Sequence, residues 1–456
     1  MKIISKKNAI ISTLIMLLTY LFSQSYNLEG FISTQSPVNE FIKWQEFSSP
    51  NISHSYISPV KESQVIKSNY KEFYLKYRNI SDFYFRVIPK YFNNSGNKSF
   101  RFQLNGSMRI PISSRLSIQN DFAIDNKGAE NPHYMGFPRP TIGEWTGYIQ
   151  QSILCWQFTN SHFLIGRGNF QFGAINSGLL LNSNHPPAEI IWWHINKNSI
   201  TFDWGTEFLD SVNHNNRFLT FHRIGYESKL WRIGFTEASM VAYNSLGTSE
   251  LRFLMPSSLL LETEENRVKN TNLMWLLDYM LKLKGLTIFG EILIDDYALD
   301  NLSPHKLAGK IGVGSKFGKL HLFVEYVRIN RWVGNYSTSE FRFTEHNVLI
   351  GHPLGPDSHS AEIGIFIPID EKISLMFDMI WQEEGSGSID EQWPVEDAQH
   401  NFGYANEPFP SGNINSLFSG NLQIDYFLSN RIKSTLQINL TTKDTPKYGF
   451  SCSVNI

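Results

Sequence analysis

Asn421-Leu422-Gln423-Ile424-Asp425-Tyr426 and Lys433-Ser434-Thr435-Leu436-Gln437-Ile438-Asn439-Leu440 alternate polar and apolar residues with a period of two. Tyr448, Phe450, Cys452, Val454 and Ile456 carry the same alternation to the last residue. On a strand, that period puts one residue type on each face. From about Ser360 onward such segments succeed one another, joined alternately by tight turns and long polar loops. Strands of about ten residues with short connections at one end and long ones at the other are the signature of a transmembrane β-barrel.

Earlier in the chain, Phe100, Phe102, Leu104 and Met108 alternate with Arg101, Gln103, Asn105, Ser107 and Arg109, which suits lipid outside and a polar lumen inside. Tight turns are predicted at Ser113-Ser114, Asn160-Ser161, Lys197-Asn198, Gly285, Gly318, Asp370-Glu371 and Asn430. Long connections are predicted around Asp125–Gly143, Gly168–Glu189, Asn244–Asn272, Arg331–His359 and Glu383–Ser419. The intervening strands number about 18, an even count as a single-chain bacterial barrel requires. The fold class is therefore all-β, a transmembrane antiparallel β-barrel over 81–456, with its C-terminus on the short-turn, periplasmic side. Two stretches break the pattern. Glu237 falls in phase with Phe235 and Ile233, which implies a bulge or a lumenal face. Leu273 to Leu283 is apolar on both faces, as a buried strand of a soluble two-layer sandwich would also be.

The first residues read as an export signal over 1–25. Lys2, Lys6 and Lys7 precede an apolar run from Ala9 to Phe22, and Ser23-Gln24-Ser25 offers a small-x-small cleavage pattern. No Cys stands at that point to take a lipid anchor. Residues 26–80 do not alternate; Val38–Trp44 and Glu62–Tyr77 read as short amphipathic helices of a periplasmic or barrel-plugging segment. Aromatic residues make up 14 % and charged residues 18 % of the chain, and the net charge is −2. Near-neutrality without a basic stripe gives no footprint for nucleic acid. Gly-rich phosphate loops and paired CxxC motifs are absent. Cys155 and Cys452 lie far apart in strand order and read as inert small hydrophobes.

Three residue sets could carry chemistry. His222-Arg223, Asp295-Asp296 and Gly351-His352-Pro353-Leu354-Gly355-Pro356-Asp357 are the candidates for an outer-membrane hydrolase. Neighbouring residues on a strand face opposite ways, so Asp295 and Asp296 would not share a proton, and no Gly-x-Ser-x-Gly elbow or His-Glu-x-x-His occurs. Glu291, Glu325 and Asp378 are placed on lumenal faces, where Arg101, Arg109 and Arg223 would pair them, either structurally or as a constricted, charge-selective pathway. The loop aromatics Trp145, Trp332, Tyr336, Trp393, Phe402, Tyr404 and Phe409 offer flat faces for sugar rings, or belong to an interfacial girdle. His346, His352 and His359 are too loosely spaced to form a metal site.

A series of strings then matters in order: Gly166-Arg167, Phe172-Gly173, Leu179-Leu180-Leu181-Asn182-Ser183-Asn184-His185-Pro186-Pro187, Arg217, His222-Arg223, Gly234-Phe235-Thr236-Glu237, Pro256, Glu291 with Asp295-Asp296, Glu325, and the Gly351–Asp357 run. Together they resemble the capsule-assembly Wzi family of outer-membrane proteins, in its distant, Bacteroidetes-like members, from about Phe83 to Asp378. Where that family has Trp-Gly-Pro, this chain has Phe172-Gly173-Ala174. The resemblance implies an eighteen-stranded barrel with an N-terminal helical plug, and a lectin-like role in which extracellular loops hold capsular polysaccharide at the cell surface. It carries over no catalytic residues, and no cofactor is expected. Candidate residues for polysaccharide contact, or for organising loops and lumen, are Arg167, Asn182, Asn184, Arg217, His222, Arg223, Glu237, Asp295, Asp296, Glu325, His352, Asp357 and Trp393. The expected partners are capsular or surface polysaccharide and outer-membrane lipids, with the chain monomeric; the alternatives are a porin-like diffusion channel and a hydrolase.

Overall fold

A computed structural model of the chain describes residues 82–94, 97–113, 115–126, 145–168, 178–182, 185–244, 248–261, 263, 271–296, 304–370, 372–392, 408–429, 432–442 and 447–454. The export signal, the 26–80 segment, Asn184, Trp393, Phe402 and Tyr404 lie outside them. Eighteen strands follow in sequence: β1 Asp82–Asn94, β2 Asn97–Pro111, β3 Leu116–Asp125, β4 Thr146–Gln157, β5 Ser161–Gly168, β6 Ala188–Lys197, β7 Ile200–Val212, β8 Asn215–Glu227 and β9 Trp231–Tyr243. After a one-turn helix, α1 Thr248–Phe253, come β10 Thr271–Leu283, β11 Leu286–Asp296, β12 Lys306–Phe317, β13 Leu320–Ile329, β14 Ser358–Pro368, β15 Ile373–Glu384, β16 Asn415–Ser429, β17 Ile432–Thr441 and β18 Lys447–Val454. Each pairs antiparallel with its neighbours in sequence, and β1 meets β18 through Phe85–Val454, Arg86–Ser453 and Val87–Cys452. The fold is an eighteen-stranded antiparallel β-barrel.

The wall alternates as the period of two requires. Outward positions expose Ile165, Trp193, Ile224, Phe235, Leu277, Ile292, Ile311 and Val324, an apolar belt facing away from the lumen. Rings gather at its margins. Tyr226 lies 4.7 Å from Trp231, and Trp156 stacks with Phe158 at 6.4 Å, both at the turn end. Tyr326, His359, Trp381 and Phe409 cluster at the loop end, where Arg328 lies 3.8 Å over the Phe409 ring. Three inward Phe rings lie across a directly paired glycine: Phe221 on Gly205, Phe289 on Gly312 and Phe323 on Gly364. A Cβ at those glycines would come within 2.0–2.4 Å of the ring.

The predicted alternation of short and long connections fails at two places among the described strands, between β1 and β2, which pair out to Asn94–Asn97, and between β7 and β8. On the loop end, β7 and β8 are joined by a tight turn at Asn213-His214, both with positive φ (49° and 64°). Asn tolerates that conformation, so a two-residue hairpin replaces the long loop. The connection predicted over Glu383–Ser419 is also shorter, because β15 runs to Glu384 and β16 starts at Asn415.

The lumen is the main departure. A polar interior was predicted, yet the loop-end half holds an apolar core. Leu219, Phe221, Leu276, Leu293, Val327 and Ile329 face inward from the wall. They pack against Leu179–Leu181, Val333, Phe343 and Ile350 from two inserted loops. This explains why Leu273–Leu283 is apolar on both faces: Met274, Leu276 and Met280 are buried inside, while Leu277 is exposed outside. A sandwich is not needed to account for it.

Candidate functional site

The inserted loops are built from the two most distinctive strings. Leu179 donates its amide to Glu291 at 2.7 Å, and Glu291 also pairs with Lys310 at 2.6 Å; both charges are fully buried. Asn182 is buried and donates its backbone amide to the Ile350 carbonyl at 3.1 Å. At Gly351 a Cβ would stand 2.8 Å from the Leu179 carbonyl, so a larger residue would push the two loops apart. Asp295 accepts the Gly334 amide at 2.8 Å, with Lys306 4.0 Å away. His352 is buried and accepts from the Leu354 amide; burial, aided by Lys310, pushes its pKa down to about 3, so it stays neutral.

Two further carboxylates tie the loops together. Asp357, buried and at φ 56°, accepts the amides of Gly387 (2.8 Å) and Ser411 (2.9 Å) and the Ser411 hydroxyl (2.5 Å). It thereby holds both ends of the 385–414 loop. Nearby, the fully buried Arg217 bonds the Asp210 carboxylate and the carbonyls of Arg342 (3.2 Å) and Thr344 (2.8 Å). Glu345 sits in a two-stranded hairpin, Thr344–Glu345 with Val348–Leu349, that turns at His346-Asn347. It accepts the Asp210 amide at 2.9 Å. Burial, with Asp210 close by, raises the Glu345 pKa to about 8 although Arg217 opposes the shift.

Above this plug lies the surface that faces out of the loop end. Asn213 donates to Ser339 (3.0 Å) and to Glu340 (3.1 Å), and Asn215 donates to Glu340 (3.3 Å). Burial alone would raise Glu340, but bonds from its own amide, Asn213, Thr338 and Asn215 outweigh it and hold the carboxylate below its ordinary pKa. Tyr336 and Phe341 stand edge to face at 5.2 Å beside this cluster, and Arg342 pairs with Asp390 at 3.3 Å. Amides, carboxylates and a ring pair thus share one part-exposed surface.

The remaining predicted residues are dispersed. Arg167 pairs with Glu189 at 2.6 Å on the outward face near the loop end. Arg223 points inward and reaches across Gly234 to grip Asp278 at 2.8 Å; a Cβ at Gly234 would meet Arg223 Nη2 at 2.0 Å. Glu325 faces the lumen, opposite Glu362 in register. Asp296 ends β11, paired in register with Lys306. His222 and Glu237, paired across β8 and β9, point outward, so the hydrolase grouping of His222 with Asp295 is not assembled.

Neither a bulge nor a lumenal face explains Glu237. β9 keeps its register, and the segment 248–263 lies over the outside of the wall. Glu237 accepts the amides of Leu260 (2.8 Å) and Leu261 (3.0 Å). His222 Nε2 lies 3.1 Å from the Met255 carbonyl, and the Thr220 hydroxyl donates to the Phe253 carbonyl at 3.0 Å. Phe253 and Leu260 pack on Phe218 and Val241 beneath.

Sequence reasoning named Arg101 and Arg109 as lumenal cations but missed Lys306, Lys310, Asp278, Asp210 and Glu345. Their signal was the parity of each strand, which places Lys306 and Lys310 on one face of β12.

No protein-family model and no curated protein sequence matches the chain. Among solved structures, the chain is similar to Wzi, an outer membrane protein involved in group 1 capsule assembly in Escherichia coli and a carbohydrate-binding β-barrel. The TM-score is 0.59 at 10 % identity, over 95 % of this chain and 98 % of that one. OprD of Pseudomonas aeruginosa aligns with a TM-score of 0.45 at 8 % identity, over 83 % of this chain and 94 % of that one. At such identities the likeness is one of fold.

Proposed function

We propose that this chain is a non-enzymatic outer-membrane barrel of the Wzi type that binds capsular or other surface polysaccharide at its loop end and supports its attachment to the cell. The reading rests on the surface around Glu340: fixed amide and carboxylate groups beside the Tyr336–Phe341 pair, standing on an apolar plug. Sugar rings pack on aromatic faces while their hydroxyls take directional bonds, and a rigid support limits the entropy lost on binding. The Escherichia coli protein of like fold is a carbohydrate binder, which supports the same reading. The loops packed into the lumen favour it over a diffusion channel.

The test is a glycan array probed with purified protein and with the Asn213→Ala, Glu340→Gln double variant. Binding to acidic or neutral surface polysaccharides that the variant loses is the expected result. Equal signal from both proteins would move the site elsewhere, and steady open conductance in planar bilayers would favour the channel.

A further inference from the structure

The segment 248–261 folds down over the outside of the barrel, whereas the described parts of the loops at 178–182 and 331–357 pack inside it. We infer that it is a strap immersed in the outer leaflet of the membrane, its outer face in contact with acyl chains and its inner face latched by Glu237. Depth supports this. The Tyr226–Trp231 ring pair marks the turn-end margin of the belt. Glu237 lies six residues along β9 from Trp231, which at ~3.4 Å per residue and a tilt of ~40° is a height of about 16 Å. The apolar band of such barrels is about 25 Å tall, so Glu237 sits inside it, about 9 Å short of the far margin. Leu260 and Leu261 bond Glu237 directly and share its level.

The exposure pattern agrees. Leu259 is 70 % and Met255 51 % exposed, and Leu251 and Leu261 are open as well. In water this would be an apolar patch without a purpose. It instead continues the lipid-facing wall, since the next outward residues below the strap are Ile224 on β8, Phe235 on β9 and Leu277 on β10, all exposed. The inner face answers a different need. Thr220, His222 and Glu237 are polar groups on the lipid side of the wall, and hydrocarbon offers them no partners. The strap supplies these partners from its own backbone: amides for Glu237 and carbonyls facing His222 and Thr220.

The test places single cysteines in the full chain carrying Cys155→Ser and Cys452→Ser. Leu259→Cys and, as the aqueous reference, Asn213→Cys carry an environment-sensitive fluorophore in phosphatidylcholine vesicles. A nitroxide on the acyl chain should quench the label at 259, while iodide should quench it about tenfold less than at 213, as for groups sunk below the headgroups. Comparable iodide quenching at both positions, in protein that migrates as a folded barrel, overturns the immersion. The latch is read on the same label. Glu237→Ala should raise iodide access at 259, whereas Glu237→Gln, which keeps an acceptor oxygen, should raise it less. No change in the folded Glu237→Ala variant overturns the latch.

Discussion

Replacing Asp357 with Ala should release the 385–414 loop while leaving the barrel intact. The carboxylate accepts three bonds from that loop, from Gly387 N, Ser411 N and Ser411 Oγ, all within 2.5–2.9 Å. Hydrogen bonds to a charged group contribute about 1.5–3 kcal/mol each. At the low end the three give about 4.5 kcal/mol, which is a loop-opening equilibrium shifted by about a thousandfold. Two glycines show how closely the chain is fitted to this side chain: a Cβ at Gly385 would lie 2.1 Å from Asp357 Oδ2, and one at Gly387 2.6 Å from Asp357 Cβ. Ala also tolerates the positive φ of 56° less well than Asp, adding about 1 kcal/mol. Asp357→Asn keeps the φ preference and one acceptor oxygen; with that oxygen in the place of Oδ2 it retains the bonds from Gly387 N and Ser411 Oγ and loses one of three, so its effect should be about a third as large on this bond count. Hydrogen exchange at the Gly387 and Ser411 amides reads the result directly. Exchange at those two amides that stays within tenfold of the parent protein in Asp357→Ala would refute the clamp.

Arg223→Met should destabilise the barrel by about 3–5 kcal/mol, because it strands the buried Asp278, and adding Asp278→Leu should recover most of the loss in urea titrations followed by gel migration. Gly234→Ala should be comparably harmful, since the new methyl group would occupy the space of the Arg223 guanidinium. Glu345 has its pKa raised in the folded cap, so its contribution is fully present below the ordinary carboxylate pKa and is lost as pH rises through about 8. Exchange at the Asp210 amide, corrected for its intrinsic rise with pH, should therefore quicken as pH goes from about 4.5 to about 8 and level off above it, and Glu345→Gln should flatten that rise. His352 works in the opposite sense: with its pKa lowered to about 3, stability is fully present above pH 6.5 and erodes as pH falls toward 3, an acid limb that His352→Gln should remove.

The barrel was legible because each strand needs only local information, the alternation of faces. The strand count, the turn at Gly285 and the outward set Phe102, Leu104 and Met108 follow from it. What the interior contains was not legible, because its partners are distant in sequence: Leu179 meets Glu291, 112 residues away, and Arg223 meets Asp278, 55 residues away. β12 hid Lys306 and Lys310 because Gly309, Gly312 and Gly314 blur its alternation. Double-sided Leu273–Leu283 was the visible trace of the apolar plug, and out-of-place Glu237 was the visible trace of the strap. The strings that carry the resemblance were expected to contact polysaccharide or to organise loops and lumen. In the fold, Leu179–Leu181, Gly351 and Asp357 secure loops to one another, while the polar surface above them comes from Asn213, Ser339 and Glu340, which no string announced.

The strap also bears on the order of assembly. Glu237 and its two donors are only 23 and 24 residues apart, within a single hairpin of β9 and β10. Loops of that length close cheaply and early, whereas the plug must wait for strands far along the chain. The hairpin can therefore arrive at the bilayer with its carboxylate already engaged, and be delivered as a prefabricated part.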